Sequence, residues 1–261
     1  MLRSRIIPCL LIHEDGLVKT AKFKHPKYVG DPINAVKIFN EKEVDELIIL
    51  DIDATAKGFE PNYKLIEKLS IACHMPLCYG GGVRNAQQAQ QISRLGVEKV
   101  AISSAAVENP ILISEIASKI GSQSVTVIFD VKKDFFGKYK VWTRNGTKDS
   151  GRLLFDSVKE VERCGAGEIV INSIENDGQM KGYDINLAKK AREITNLPLT
   201  ILGGAGSLND IKDLFQTCGI IGAAAGSFFV FKGLYRAVLI SYPSKEQKRM
   251  LTDTHCLFLN E

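Results

Sequence analysis

The stretch DELIILDIDATAKG at 45–58 returns in altered form as GEIVINSIENDGQMKG at 167–182. MPLCYGGGVRNAQQAQQ at 75–91 returns as LPLTILGGAGSLNDIKD at 197–213. Glu46 matches Glu168, Pro76 matches Pro198, and Gly81-Gly82 matches Gly203-Gly204, all at one offset of 122 residues. That is close to half of a 261-residue chain, so the chain reads as two similar halves joined head to tail. Within them, short apolar runs predict strands at 5–11, 46–51, 76–79, 99–103, 125–130, 168–173, 198–202 and 219–223. They are continuously apolar, as parallel strands buried on both faces are. Helical patterns lie between them at 32–43, 63–73, 86–95, 110–120, 153–164, 185–194 and 208–217. Eight strands alternating with helices predict a single (β/α)8 TIM barrel over 1–261, with half-barrels at about 1–122 and 123–242 and a tail at 243–261.

Composition agrees with such a barrel. Hydrophobic residues make up 45% and charged residues 25% of the chain, enough to bury a large core. A net charge of +4 argues against nucleic acid as the main ligand and is compatible with anionic phosphates. No apolar run reaches the roughly 18 residues that span a bilayer, and the N-terminus has no signal-peptide pattern, so a cytoplasmic protein with no membrane contact is expected. The six cysteines are scattered, with only Cys73 and Cys78 close. Cys-x4-Cys with His74 nearby is a poor zinc site, so buried free thiols, no metal and no cofactor are expected.

Laying the first strands of the halves together, RIIPCLL against VTVIFD, sets Leu11 where the second half has Asp130. Asp130 directly ends an apolar strand, at the barrel end where active sites are built, and is the strongest acid/base candidate. Among the other strand-end acids, loop capping accounts for Asp53 and Glu175. Glycine clusters follow strands three and seven, and small-residue segments follow strands four and eight, Ser103-Ser104 and Gly226-Ser227 among them. Such loops can point successive N–H groups at an anion. Their twofold occurrence predicts an elongated ligand with a phosphate at each end. Arg5, Glu46, Lys99 and Glu168 stand at strand starts, where four charges of both signs can ring the barrel's bottom. That ring is either a stabilising layer or the gate of an axial passage.

RIIPCL, GDPINAVKIFNE, DELIILDI, PLCYGGGVR, EKVAISSAAVENP, GSQSVTVIFDVKK, GAGEIVINSIENDG, GYD and LGGAG together resemble the HisF family, the cyclase subunit of imidazole glycerol phosphate synthase. The resemblance implies a (β/α)8 barrel that binds a HisH-type glutaminase at its bottom and conducts ammonia along its axis. At the top, ammonia reacts with the bis-phosphorylated ribonucleotide PRFAR to give imidazole glycerol phosphate and an aminoimidazole carboxamide ribotide. By the resemblance, Arg5, Glu46, Lys99 and Glu168 are gate positions. Gly82, Ser103, Ser104, Gly178, Gly204, Gly226 and Ser227 match the phosphate surface, and Lys19, Asp51, Asp130 and Asp177 match positions near the substrate.

The departures are specific. The family's Cys-Leu-Asp motif carries the first of its two acid/base carboxylates, and this chain has Leu11 there. Ser103 stands for the family's asparagine, Asn172 for its threonine, and DIDATAKGFEPNY replaces the loop after strand two. Removing a general acid or base costs roughly 10²–10⁴-fold. The pattern is similar to HisF-like paralogs encoded with surface-polysaccharide genes. These work with a HisH-like glutaminase and a separate sugar amidotransferase to make acetamidino sugars of O-antigen type. Three readings stand at this point: an ammonia-channel subunit of such a complex, an authentic cyclase with altered acid/base residues, and a scaffold that activates the glutaminase.

Overall fold

The computed structural model describes residues 3–252. Eight parallel strands close on one another: β1 (Arg5–His13), β2 (Leu47–Asp51), β3 (Leu77–Gly80), β4 (Lys99–Ile102), β5 (Val125–Lys133), β6 (Glu168–Ser173), β7 (Leu199–Leu202) and β8 (Gly222–Ala225). β1 pairs with both β2 and β8, and β5 with both β4 and β6, so the barrel has no free edge. This is the expected (β/α)8 fold.

Local chemistry sets the helix limits. Asp31 accepts from the Asn34 amide ahead of Pro32, starting the helix Pro32–Glu41. Ser207 and Asp210 form a reciprocal capping box that starts Leu208–Cys218. Gly219, at φ 72°, ends that helix, and this moves the last strand to Gly222–Ala225 from the expected 219–223. The remaining outer helices, Tyr63–Ala72, Ala86–Arg94, Ile111–Ile120, Leu154–Arg163 and Ile185–Ile194, fall within a residue or two of their expected bounds.

Two features depart from the sequence reading. The segments after the first and fifth expected strands, where no further strand is expected, are antiparallel hairpins that prolong β1 and β5. One uses Gly16–Ala21 and Lys24–Gly30, the other Tyr139–Thr143 and Lys148–Leu153. The segment DIDATAKG, read as loop, contains the helix Ile52–Lys57, capped by Asp51.

Side chains alternate across each strand, which separates two apolar layers. The larger lies between the strands and the surrounding helices. The smaller fills the barrel with Ile7, Cys9, Ile48, Cys78, Ala101, Ile128, Val170, Leu202 and Ala224, with Leu11 and Leu50 packed above them.

After β8 the chain makes a short helix, Ser227–Val230, and a hairpin, then returns along the outside. Tyr242 donates its hydroxyl to the Ile6 carbonyl at 2.8 Å and accepts from the Asp45 amide at 3.1 Å. The helix Lys245–Thr252 lies beside it, with Lys248 on Asp45 at 2.9 Å. This part of the expected tail packs against the barrel; 253–261 lie outside the described residues. Tyr242→Phe removes both of these part-buried hydroxyl hydrogen bonds and is expected to cost roughly 1–3 kcal/mol, read as a lower urea midpoint with unchanged slope. No described helix is long and apolar enough to cross a membrane.

Candidate functional site

The inner faces of the strands stack the site in levels. At the bottom, Arg5 bonds Glu46 and reaches Glu168 Oε1 at 2.7 Å. Lys99 Nζ donates to Glu46 Oε1 and to Glu168 Oε2, both at 2.7 Å. Each carboxylate thus bridges both cations, and Thr200 Oγ1 adds a bond to Glu168 at 2.7 Å. Burial alone pushes Arg5 and Lys99 down, but the two glutamates outweigh it and hold both above their ordinary values. Burial also pushes Glu168 up, and Arg5 and Lys99 reverse this to hold it below the usual carboxylate range. The four strand-start charges do converge, as a closed ring of alternating sign.

Above the ring and the apolar layer, the strand ends open into a cavity of about 610 Å³. β1 pairs Leu11 with Leu50, and β5 pairs Asp130 with Asn172. Leu50 and Asn172 are themselves 122 residues apart, so Leu11 and Asp130 occupy equivalent positions in the two halves. One half presents two leucines where the other presents an acid and an amide.

Asp130 is held by Asn172 Nδ2 at 3.0 Å. Burial nevertheless pushes its carboxyl up to about 7, with Asp177 adding to the rise. An acid raised from 3.8 to about 7 holds its proton longer folded than unfolded. Its contribution to stability is therefore lost as pH rises across that window. Asp130→Asn is accordingly expected to melt above the native chain by a margin that grows from pH 5 to pH 8. At about 1.4 kcal/mol per pKa unit the margin widens by on the order of 3 kcal/mol across that range. A margin independent of pH contradicts this.

Lys19 reaches in from the β1 hairpin, is 6% exposed, and donates to the Cys9 carbonyl at 2.7 Å. Burial depresses its pKa. A Cβ on Gly226 would come within 2.1 Å of Lys19 Nζ, so only glycine leaves the lysine its place beside Ser227. Asp177 accepts from Thr20 Oγ1 at 2.8 Å and from the Phe23 amide at 3.3 Å, and burial raises its carboxyl. Gly178, at φ 67°, lies so close that a Cβ would meet the Thr20 carbonyl at 2.2 Å. Asp51 lines the cavity, but one of its carboxylate oxygens caps the helix Ile52–Lys57 through the Asp53 and Ala54 amides. Burial raises its carboxyl too. Gly82 donates to Thr55 Oγ1 at 3.2 Å, and Ser104 Oγ accepts from the Arg144 amide at 3.0 Å. Ser103, Gly204 and Ser227 complete the lining from the sequence-derived set.

Asp53 ties the β1 turn down, accepting from the Glu14 amide at 2.9 Å and bonding His13 Nδ1 at 2.7 Å. Glu175 points into solvent and caps nothing, contrary to expectation. Of the cysteines, Cys9, Cys78 and Cys218 are buried, whereas Cys73 and Cys164 are half-exposed.

Sequence reasoning missed the residues the hairpins bring over the mouth. Asn145 Nδ2 donates to the Ile52 carbonyl at 2.7 Å, and Arg144, Thr20 and Phe23 join the lining. The Asn145-Gly146 pair between VWT and KDS is a hairpin signal that could have found them.

Fold and site together define a twofold (β/α)8 barrel with a charge-ringed bottom and an acid-bearing cavity at the strand ends. The family described as "Histidine biosynthesis protein" matches residues 5–235. The chain is 57% identical over 252 residues to the "Putative imidazole glycerol phosphate synthase subunit HisF" of Leptospira borgpetersenii, covering 96% of this chain and 99% of that one. It is 56% identical over 250 residues to the similarly named hisF3 product of Vibrio vulnificus strain YJ016, covering 95% and 96%. The imidazole glycerol phosphate synthase subunit HisF of Streptococcus sanguinis strain SK36 is 37% identical over 229 residues, covering 88% and 91%. The chain belongs to the HisF family of the histidine-biosynthesis barrels.

Proposed function

We propose that this HisF-family barrel is the ammonia-conducting subunit of a glutamine-dependent amidotransferase complex. A HisH-type glutaminase docks on the ringed bottom and releases ammonia there. The ring of Arg5, Glu46, Lys99 and Glu168 is the gate, and the small side chains Ala101 and Ala224 line the axis above it. Ammonia emerges beside Asp130. The acceptor is a sugar amidated to an acetamidino sugar for a surface glycan, with a sugar amidotransferase as third partner. A phosphorylated ligand is held in the cavity by Lys19 with Gly178, Gly204, Gly226 and Ser227 on one side, and by Gly82, Ser103 and Ser104 on the other. Asp51 and Asp177 face the same ligand.

The observation that carries this reading is the pairing of an intact charged ring with Leu11. A barrel that needs two carboxylates for cyclisation lacks one of them, while the groups at the bottom remain complete. The names of the relatives favour a second reading, the cyclase itself. A scaffold that only activates the glutaminase differs from both in needing no passage.

Ala224→Leu puts bulk on the axis without touching the ring. With the glutaminase and the sugar amidotransferase present, amidated product from glutamine is expected to fall at least about 10-fold. Glutaminase turnover and product made from added ammonium stay unchanged. Undiminished product from glutamine sinks the conduit and leaves the scaffold.

A further inference from the structure

Two turns on the strand-end face of the barrel hold pairs of large apolar side chains out in water. At the tip of the β5 hairpin, Phe135 and Phe136 are 98% and 83% exposed. At the tip of the hairpin after β8, Leu234 and Tyr235 are 90% and 91% exposed. Outside these hairpins the exposed large apolar residues stand singly in the sequence. Both tips are built turns. Asp134 Oδ1 accepts from the Phe136 and Lys138 amides, both at 2.9 Å, and the Asp134 amide donates to the Lys138 carbonyl. In the second tip the Arg236 amide donates to the Gly233 carbonyl at 3.1 Å, above the paired Lys232 and Ala237. The apolar pairs are thus pre-ordered, which lowers the entropy cost of burying them against a partner. Both tips are also tied to one loop, 174–184 after β6. Lys133 meets Asp184 at 3.0 Å and Tyr139 donates to it at 2.9 Å, while Arg236 donates to the Gly178 carbonyl at 3.2 Å. The same loop gives Asp177 and Gly178 to the cavity, so whatever grips the tips is held beside the mouth.

The surroundings of the tips are basic. Lys138, Lys181, Lys232 and Arg236 are exposed on these turns and this loop, as are Lys22 and Lys24 at the β1 turn, where the Lys22 amide donates to the Asp177 carbonyl at 3.0 Å. Glu175 is the one exposed carboxylate among the described residues of these segments. Exposed apolar clusters mark interaction sites. Apolar anchors among cations call for a face with apolar pockets rimmed by carboxylates. We infer that the two tips and the loop between them dock the protein that holds the ammonia acceptor, through an acidic, pocketed face of that protein. The inference rests on the conduit reading above and fixes the side on which its third partner sits. Ammonia leaving an open mouth is diluted and protonated in water, and a protein clamped at the rim removes that loss. An anionic membrane also attracts basic turns with aromatic tips, but tips sunk in a bilayer would turn the mouth toward lipid and leave the acceptor no way in.

Biolayer interferometry reads binding between the immobilised barrel–glutaminase complex and the sugar amidotransferase. The native complex is expected to bind, more weakly as salt rises. Phe135→Ser with Phe136→Ser, and separately Leu234→Ser with Tyr235→Ser, are each expected to weaken binding at least about 10-fold. Product from glutamine falls with binding, while glutaminase turnover and product made from added ammonium stay unchanged. Lys138→Glu with Lys232→Glu leaves both tips intact, is expected to weaken binding by a comparable factor, and decides alone should a tip variant fail to fold. No binding by the native complex, or unchanged binding by all three variants, overturns the docking face. So does capture of the native chain by phosphatidylethanolamine–phosphatidylglycerol vesicles that the tip variants escape, and so does a dimer of the chain that the tip variants dissociate. Delivery blocked by Ala224→Leu together with native binding by the tip variants sinks only the docking face. Tip-dependent binding together with undiminished delivery through Ala224→Leu sinks the conduit and spares the docking face.

Discussion

Glu168→Gln lowers the melting midpoint by roughly 10 °C. The ring owes its stability to complete pairing. Glu168 bridges Arg5 and Lys99 and takes a third bond from Thr200. Neutralising it leaves two cations on Glu46 alone, with most of their surface already out of water. Breaking a buried ion pair from one side costs about 3–5 kcal/mol, because the surviving charge is uncompensated. In a chain of this size each kcal/mol moves the midpoint about 2–4 °C. Acid should reproduce the effect. A carboxylate whose folded pKa is depressed stabilises above its unfolded value, 4.5 for this residue, and loses that contribution as pH falls through the folded value. Scanning calorimetry at neutral pH checks the first part, and a midpoint within 2 °C of the native chain contradicts it.

The native chain turns over PRFAR and ammonium at least about 10²-fold more slowly than a barrel with both carboxylates, and Leu11→Asp restores a trace. The size follows from the loss of one general acid or base. The gain is small because Leu11 is only half the difference. Its neighbour across the strand is Leu50, and Cys9 and Ile128 lie in the same apolar packing. An aspartate placed there is desolvated and starts its working life mostly protonated at neutral pH. Leu11→Asp with Leu50→Asn, which copies the second half into the first, should exceed the single variant. Loss of substrate absorbance at high pH gives the rate. Ordinary cyclase turnover by the native chain defeats the conduit reading as well as this expectation.

Much of the site was legible because the chain states it twice. A repeat offset of 122 residues aligns the strand ends, and the first strands of the two halves set Leu11 against Asp130. Register then confirmed the equivalence through Leu50 and Asn172. The charged ring was legible for a similar reason, since charges at the first position of apolar strands have few places to go. The hairpins were not legible. Their strands, such as KHPKYVG and KDSGRL, are polar and exposed and lack the apolar periodicity that marks a buried element. Asp51 was misjudged in part, because a strand-end acid facing a cavity and a helix cap look alike in one dimension.

By itself the sequence determined the (β/α)8 architecture, the twofold arrangement of its strand ends and the asymmetry between Leu11 and Asp130. These follow from hydrophobic period and internal repetition, which are properties of one dimension. Only the tertiary structure decided that the four strand-start charges close into one ring and that Asp130 titrates near neutrality. Each of these depends on burial and on partners brought together from distant strands, and desolvation is set by packing in three dimensions rather than by residue type.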